Sequence, residues 1–152
     1  MKKLFFLSTL CFIALSVCAQ EFVDLGLPSG TKWKSENESD LSNYNAAIVE
    51  FNDNLPTYAQ FEELKEKCTW EWKESGFKVT GPNGNSIFLP TVSTRDCNGD
   101  WLDSSLGSYW TSSSLGQERA WVLGLTAAGG VMGEADRCSW RAVRLVQKKM
   151  KE

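Results

Sequence analysis

The chain has 152 residues, with 16 Lys and Arg against 19 Asp and Glu, and no histidine. A formal charge of −3 supplies no basic field for nucleic acid or for an anionic membrane surface. The missing imidazole removes the usual general base, the usual activator of a Ser or Cys nucleophile and the commonest metal ligand, so the chain is expected to be no enzyme and to need no cofactor or metal.

Residues 1–19, MKKLFFLSTLCFIALSVCA, place Lys2 and Lys3 before an apolar stretch that is too short to span a bilayer and ends in the small-residue exit Val17-Cys18-Ala19. This is the pattern of a secretory signal cleaved before Gln20, leaving one domain over residues 20–152 in the periplasm, at the cell surface or outside the cell. Loss of Lys2 and Lys3 takes the formal charge from −3 to −5. Membrane attachment would come only from acylation at Cys18, and Val17 is bulkier than the small residue that precedes a lipidated cysteine. The basic end Lys148-Lys149-Met150-Lys151 reads as a solvated tail.

Residues 22–35, FVDLGLPSGTKWKS, alternate apolar and polar side chains on either side of the turn-forming Leu27-Pro28-Ser29-Gly30, which predicts a hairpin. Residues 36–54, rich in Asn, Ser and Asp, read as a loop with one short element around Ala46-Ala47-Ile48-Val49. The clearest local signal follows. Thr57 can cap a helix over 57–68 and Gln60, three residues on, can return the bond to the cap. Phe61, Leu64 and Cys68 share its apolar face, and Glu62, Glu63, Lys65 and Glu66 take the solvent side.

From Thr69 the period changes to two. Trp70 and Trp72, then Phe77 and Val79, predict strands, and Gly81–Asn85 turns the chain into a third at Ser86–Leu89. Residues 91–106 read as a long polar loop. Ser108–Ser113, Arg119–Thr126 and Arg141–Val146 predict three further strands, with 127–130 as a turn and Val131–Ala135 as a short strand. The class is α+β, mostly antiparallel, with one clear helix.

Of the cysteines, Cys11 and Cys18 leave with the signal. Cys68 falls on the apolar helix face as a buried thiol, which leaves Cys97 and Cys138, both in polar loop-like stretches, as the pair able to bridge in an oxidising compartment.

Five segments in order, VDLGLPSGTKW (23–33), LPTYAQFEELKEKCTWEW (55–72), GFKVTGPNGNSIFLP (76–90), GSYWTSSS (107–114) and RAVRLV (141–146), resemble the Fibrobacter succinogenes major paralogous domain of secreted Bacteroidetes proteins. The resemblance covers almost the whole mature chain. It implies a C-type-lectin-like fold, an antiparallel twisted sheet used for display and binding, and it names no ligand. It also implies that the loop after FLP and the turn before RAVRLV meet at one end of the sheet. This chain departs from the family in KSENESDLSNYN after Trp33, in a short insertion before LPT, and in Cys97 and Cys138, which lie outside the family pattern.

The candidate chemistry is sparse. Asp96-Cys97-Asn98-Gly99-Asp100 begins like a calcium loop, but its twelfth position is Gly107 and Gly99 is misplaced for the sharp turn, so the stretch reads as a polar loop without metal. Asp100, Asp103, Glu134 and Asp136 offer carboxylate pairs of the kind any acidic surface has. Trp33, Trp110 and Trp121 fall in strand motifs and are assigned to the core. Trp101 and Trp140 fall in polar loops, and with Asp103 and Arg137 they form the candidate binding residues.

The expected function is an exported, non-enzymatic module that recognises a protein partner. The alternatives are a calcium-independent carbohydrate-binding module using Trp101 and Trp140, and a periplasmic immunity or inhibitor protein. The first prediction concerns export: protein secreted by an exporting host should have an intact mass that starts at Gln20. A mass retaining Met1, or raised by acylation at Cys18, would contradict it.

Overall fold

The structure, a computed structural model, describes residues 21–102 and 106–150. The signal segment 1–19, with Cys18 and the cleavage point before Gln20, lies outside the described residues. Strands β1 (Phe22–Asp24) and β2 (Lys32–Lys34) pair antiparallel. Their turn closes by a 2.9 Å bond from Gly30 N to Leu27 O, and Gly30 sits at φ +73°, where a side chain would be strained. Helix α1 (Tyr44–Phe51) starts at Asn43, whose side chain accepts from Ala46 N. Helix α2 (Tyr58–Lys67) has the full capping box: Thr57 accepts from Gln60 N at 3.2 Å and Gln60 accepts from Thr57 N at 2.8 Å.

Strands β3 (Thr69–Lys73), β4 (Gly76–Thr80) and β5 (Ser86–Pro90) form an antiparallel meander. The short pair β6 (Thr94–Arg95) and β7 (Trp101–Leu102) follows. A second meander is built from β8 (Ser108–Leu115), β9 (Arg119–Thr126) and β10 (Gly129–Asp136). Finally β11 (Val146–Gln147) joins the free side of β2. The class is α+β with antiparallel sheets, and no helix among the described residues is long and apolar enough to cross a membrane.

Several expectations are corrected. Among the described residues there are two α-helices: the short element expected around Ala46-Ala47-Ile48-Val49 is helix α1, because Asn43 supplies a cap within the Asn-rich stretch and Tyr44 and Ala47 bury one face. The loop 91–106 contains the β6–β7 hairpin. The turn after β9 shrinks to Ala127-Ala128, since Thr126 already pairs with Gly129 and β10 runs eight residues. Residues 141–146 are not a strand. Successive residues there find different partners: Arg141 bridges Ser42, Ala142 bridges Tyr109 in parallel, Val143 O accepts from Glu38 N, and Leu145 O accepts from Lys34 N. Their alternation is real, but it reflects apolar surroundings on both sides and no continuous ladder forms. Trp121 is half-buried, edge-on to Tyr58 at 5.0 Å. Cys68 caps the end of α2 in extended backbone and is half-buried, its thiol pushed up to about 11 by burial and then by Glu63.

The β8–β9–β10 sheet is apolar on both faces. Tyr109, Leu123 and Leu125 join Leu25, Trp33, Phe61, Leu64, Phe77, Val79 and Leu89 on one side. Trp110, Ala120, Val122 and Ala135 join Tyr44, Ala47, Leu55, Val143 and Leu145 on the other. Helix α2 therefore covers one face and α1 the other. Each fully buried Leu or Phe on these faces stabilises by roughly 1.5–3 kcal/mol. Trp110 Nε1 donates to Ser42 O at 2.7 Å, whereas the indole N–H of buried Trp33, 4.9 Å from the Phe61 ring, has no partner among the described residues. The charged side of α2 does more than meet solvent, because Glu63 accepts from Ser29 N and Ser29 Oγ and so clamps the first turn.

Arg144, 1 % exposed, lies between the meanders. Its Nε donates to Asn37 Oδ1 at 2.7 Å, its Nη1 to Lys34 O at 2.9 Å and Ser35 O at 3.0 Å, and its Nη2 to Phe88 O at 2.5 Å. Burial pulls its pKa down to about 10, yet an arginine remains protonated at physiological pH. Tyr109 beside it donates to Pro90 O at 2.6 Å and accepts from Asn37, and burial pushes its phenol up to about 12. Arg144→Lys should keep the charge but lose the planar fork, since one ammonium cannot reach acceptors on three segments. The expected loss is about 3 kcal/mol in urea unfolding at neutral pH; a loss below about 1 kcal/mol would show that the fork is dispensable.

Candidate ligand-binding groove

The loop after β5 is organised by its own side chains. Asp96 Oδ1 accepts from Asn98 N at 2.9 Å and Asp100 N at 3.0 Å, and Gly99 takes φ +86°. The resemblance to a calcium loop is thus a hairpin turn whose leading carboxylate is engaged by backbone amides. Among the described residues no group of three or more His, Cys, Asp or Glu is placed to hold a metal.

This hairpin sets a row of three side chains. Arg95 on β6 pairs with Trp101 on β7 and, on its other side, bridges Trp140, with Arg95 N to Trp140 O at 3.0 Å and Trp140 N to Arg95 O at 2.9 Å. Residues directly opposite across a ladder project to the same face. The order Trp101, Arg95, Trp140 therefore runs across three chain segments. The Arg95 guanidinium lies over the Trp101 ring, 4.0 Å from its centre. Trp101 is 52 % and Trp140 38 % exposed.

Two shallow lobes meet at Trp140. One, of about 570 Å³, is lined by Ser39, Asp40, Leu41, Arg95, Trp101 and Trp140. The other, of about 720 Å³, is bordered by Asn45, Gln117, Glu118, Arg137, Trp140 and the cystine. Arg137 is the best-anchored of the expected site residues. Its Nη2 donates to Gly116 O, its Nε donates to Arg119 O at 3.2 Å, and its guanidinium lies 4.7 Å from the Tyr44 ring. Beneath the row, Arg141 Nη1 donates to Ser108 Oγ at 3.1 Å and Thr94 Oγ1 at 3.4 Å, with its pKa lowered by burial.

Trp101 and Trp140 line the first lobe and Arg137 and Trp140 the second, while Asp103 lies outside the described residues. Glu134 and Asp136 both face Arg119, at 3.4 and 3.6 Å, and Asp100 is exposed in the hairpin. Arg95 was missed by the sequence reading, although its place six residues before Trp101 around Asp-Cys-Asn-Gly-Asp is a hairpin signal. Asp40, Asn45, Gln117 and Glu118 carried none, since exposed polar residues in loops look alike in sequence. No family model, curated protein or solved structure matches the chain.

Cys97 and Cys138 form the expected disulfide, with Cα atoms 4.9 Å apart and a sequence separation of 41. It fastens the hairpin that carries Arg95 and Trp101 to the turn that carries Arg137 and Trp140. Closing a loop of this length stabilises by about 4 kcal/mol on the chain-entropy model. The double variant Cys97→Ser/Cys138→Ser should lose that amount in denaturant unfolding, and the unreduced native protein should titrate one thiol, Cys68; three thiols would contradict the pairing.

Proposed function

We propose that this chain is an exported, non-enzymatic binding module of C-type-lectin-like fold, akin to the Fibrobacter succinogenes major paralogous domain, with the two-lobed groove as its recognition face. One observation carries the reading. Trp101 and Trp140, far apart in sequence and half-exposed, lie on one groove with Arg95 between them. An aromatic surface of this kind costs solvation free energy when left bare, and contact with a ligand recovers it. The disulfide suits an oxidising compartment, in keeping with export. The nearby carboxylates Glu134 and Asp136 face Arg119, an arrangement that favours a structural role for them over acid–base chemistry.

A protein partner is supported by residue type, since Trp and Arg dominate the energetics of protein interfaces. Inhibition of a toxin in the same compartment is a special case of that reading. A glycan is supported by the concave shape of the groove and its polar rim. Immobilised wild-type protein should retain a component of the native envelope fraction that the folded Trp140→Ala variant does not retain. Protease treatment of the fraction before capture should abolish retention of a protein ligand and spare a polysaccharide. Equal retention by wild type and variant would remove the groove from consideration.

A further inference from the structure

We infer that the occupant of the groove is a neutral oligosaccharide laid along the row Trp101, Arg95, Trp140. The inference rests on the binding-module reading and names its ligand. The row sets the repeat. Neighbouring strands are about 4.8 Å apart, so two spacings separate the tryptophan backbones by roughly 10 Å. In a β-linked glycan alternate rings turn over, and rings one apart present the same face at about the length of a disaccharide. A pyranose on Trp101 and the next but one on Trp140 would both lay their C–H faces on indole.

The aromatic platform is prepared before binding. Arg95 covers Trp101 from one side at 4.0 Å, which restrains that ring before binding, and the backbone bridge fixes where the Trp140 side chain starts. Asp40, Asn45, Gln117 and Glu118 are exposed along the rim, and among the described residues their side chains make no hydrogen bond. Planar amides and carboxylates are the groups that pair with vicinal hydroxyls, accepting and donating in the plane of the ring. Charge narrows the class further. The lobes are lined by Asp40, Glu118 and Asp136 against Arg95 and Arg137, a small negative excess that gives the groove nothing with which to select uronates or sulfated chains. Because Trp140 borders both lobes, a chain stacked on it reaches the amides and carboxylate of the second lobe as well.

The test is titration calorimetry of the disulfide-intact protein with neutral gluco-, xylo- and manno-hexasaccharides, and with oligogalacturonate as the charged comparison. At least one neutral hexamer should bind, and Trp101→Ala or Trp140→Ala should each weaken it about thirtyfold, the loss typical of truncating a central interface tryptophan. Trp101→Tyr, which keeps an aromatic face, should recover most of it. Both tryptophans are surface residues, and circular dichroism of each variant should match that of the wild type. Absence of binding to every neutral hexamer, binding indifferent to both alanine variants, or preference for oligogalacturonate would overturn the inference. If instead a protease-sensitive envelope component is captured and lost in Trp140→Ala, the glycan fails and the binding-module reading stands. Failure of both assays removes both.

Discussion

The arrangement turns on a positive charge that has been taken out of water without a buried carboxylate to meet it. Arg144 is held by four neutral acceptors: Asn37, the carbonyls of Lys34 and Ser35, and the carbonyl of Phe88. Taking a charge of this size out of water costs several kcal/mol, and only hydrogen bonds of good geometry offset the cost. The fork can be satisfied in one relative placement of β2, the loop that follows it and β5. The guanidinium therefore acts as a gauge of alignment between sheets that share no ladder. Tyr109, bonded to Asn37 and Pro90, extends the same gauge to β8.

That alignment determines what happens at the opposite end of the thread from Trp140 to Val146. Ala142 and Val146 belong to one apolar cluster, and Val143 and Leu145 to the other. With Arg144 fixed among them, the residues upstream are fixed as well. Arg141 ties Thr94, Ser108 and Ser139 together, and Trp140 meets Arg95. The groove is thus positioned for reasons that lie mostly outside it. The cystine and the Asp96 turn add local restraint, but the position of Trp140 is inherited from the core.

The sequence was legible where one short-range rule decided the structure. Thr57 and Gln60 announced α2 because both halves of the capping box lie within one turn. The two meanders followed from period-two alternation broken by Gly and Asn. Cys97 and Cys138 could be paired because helix position withdrew Cys68. Legibility failed where long-range partners decided. The first helix lacks a capping box, has Ala46 where a Glu or Gln would signal, and exposes Val49 at 85 %, so its apolar stripe is faint. The segment RAVRLV alternates as a strand should, yet its backbone partners are unevenly spaced, with Ser42, Glu38 and Lys34 in one irregular stretch and Tyr109 on another strand. The same limit applies to the groove: the two tryptophans stood out as aromatics in polar loops, while Arg95 and the rim polars gain meaning only from their neighbours.

The thread also bears on how the protein acquires its structure. Arg144 meets acceptors 110 and 109 positions away in sequence at Lys34 and Ser35, and Val146 closes on β2 beside Trp33. Contacts of such separation are slow to form, because chain closure must precede any reward from packing. Until the thread arrives, both faces of the β8–β9–β10 sheet lack part of their cover and the hairpin has no backbone partner at Trp140. Helix α2 and the two meanders can assemble locally, but the finished core cannot. A polypeptide wired in this way cannot close its core for most of its synthesis, and locks only once the segment bearing Arg144 is available.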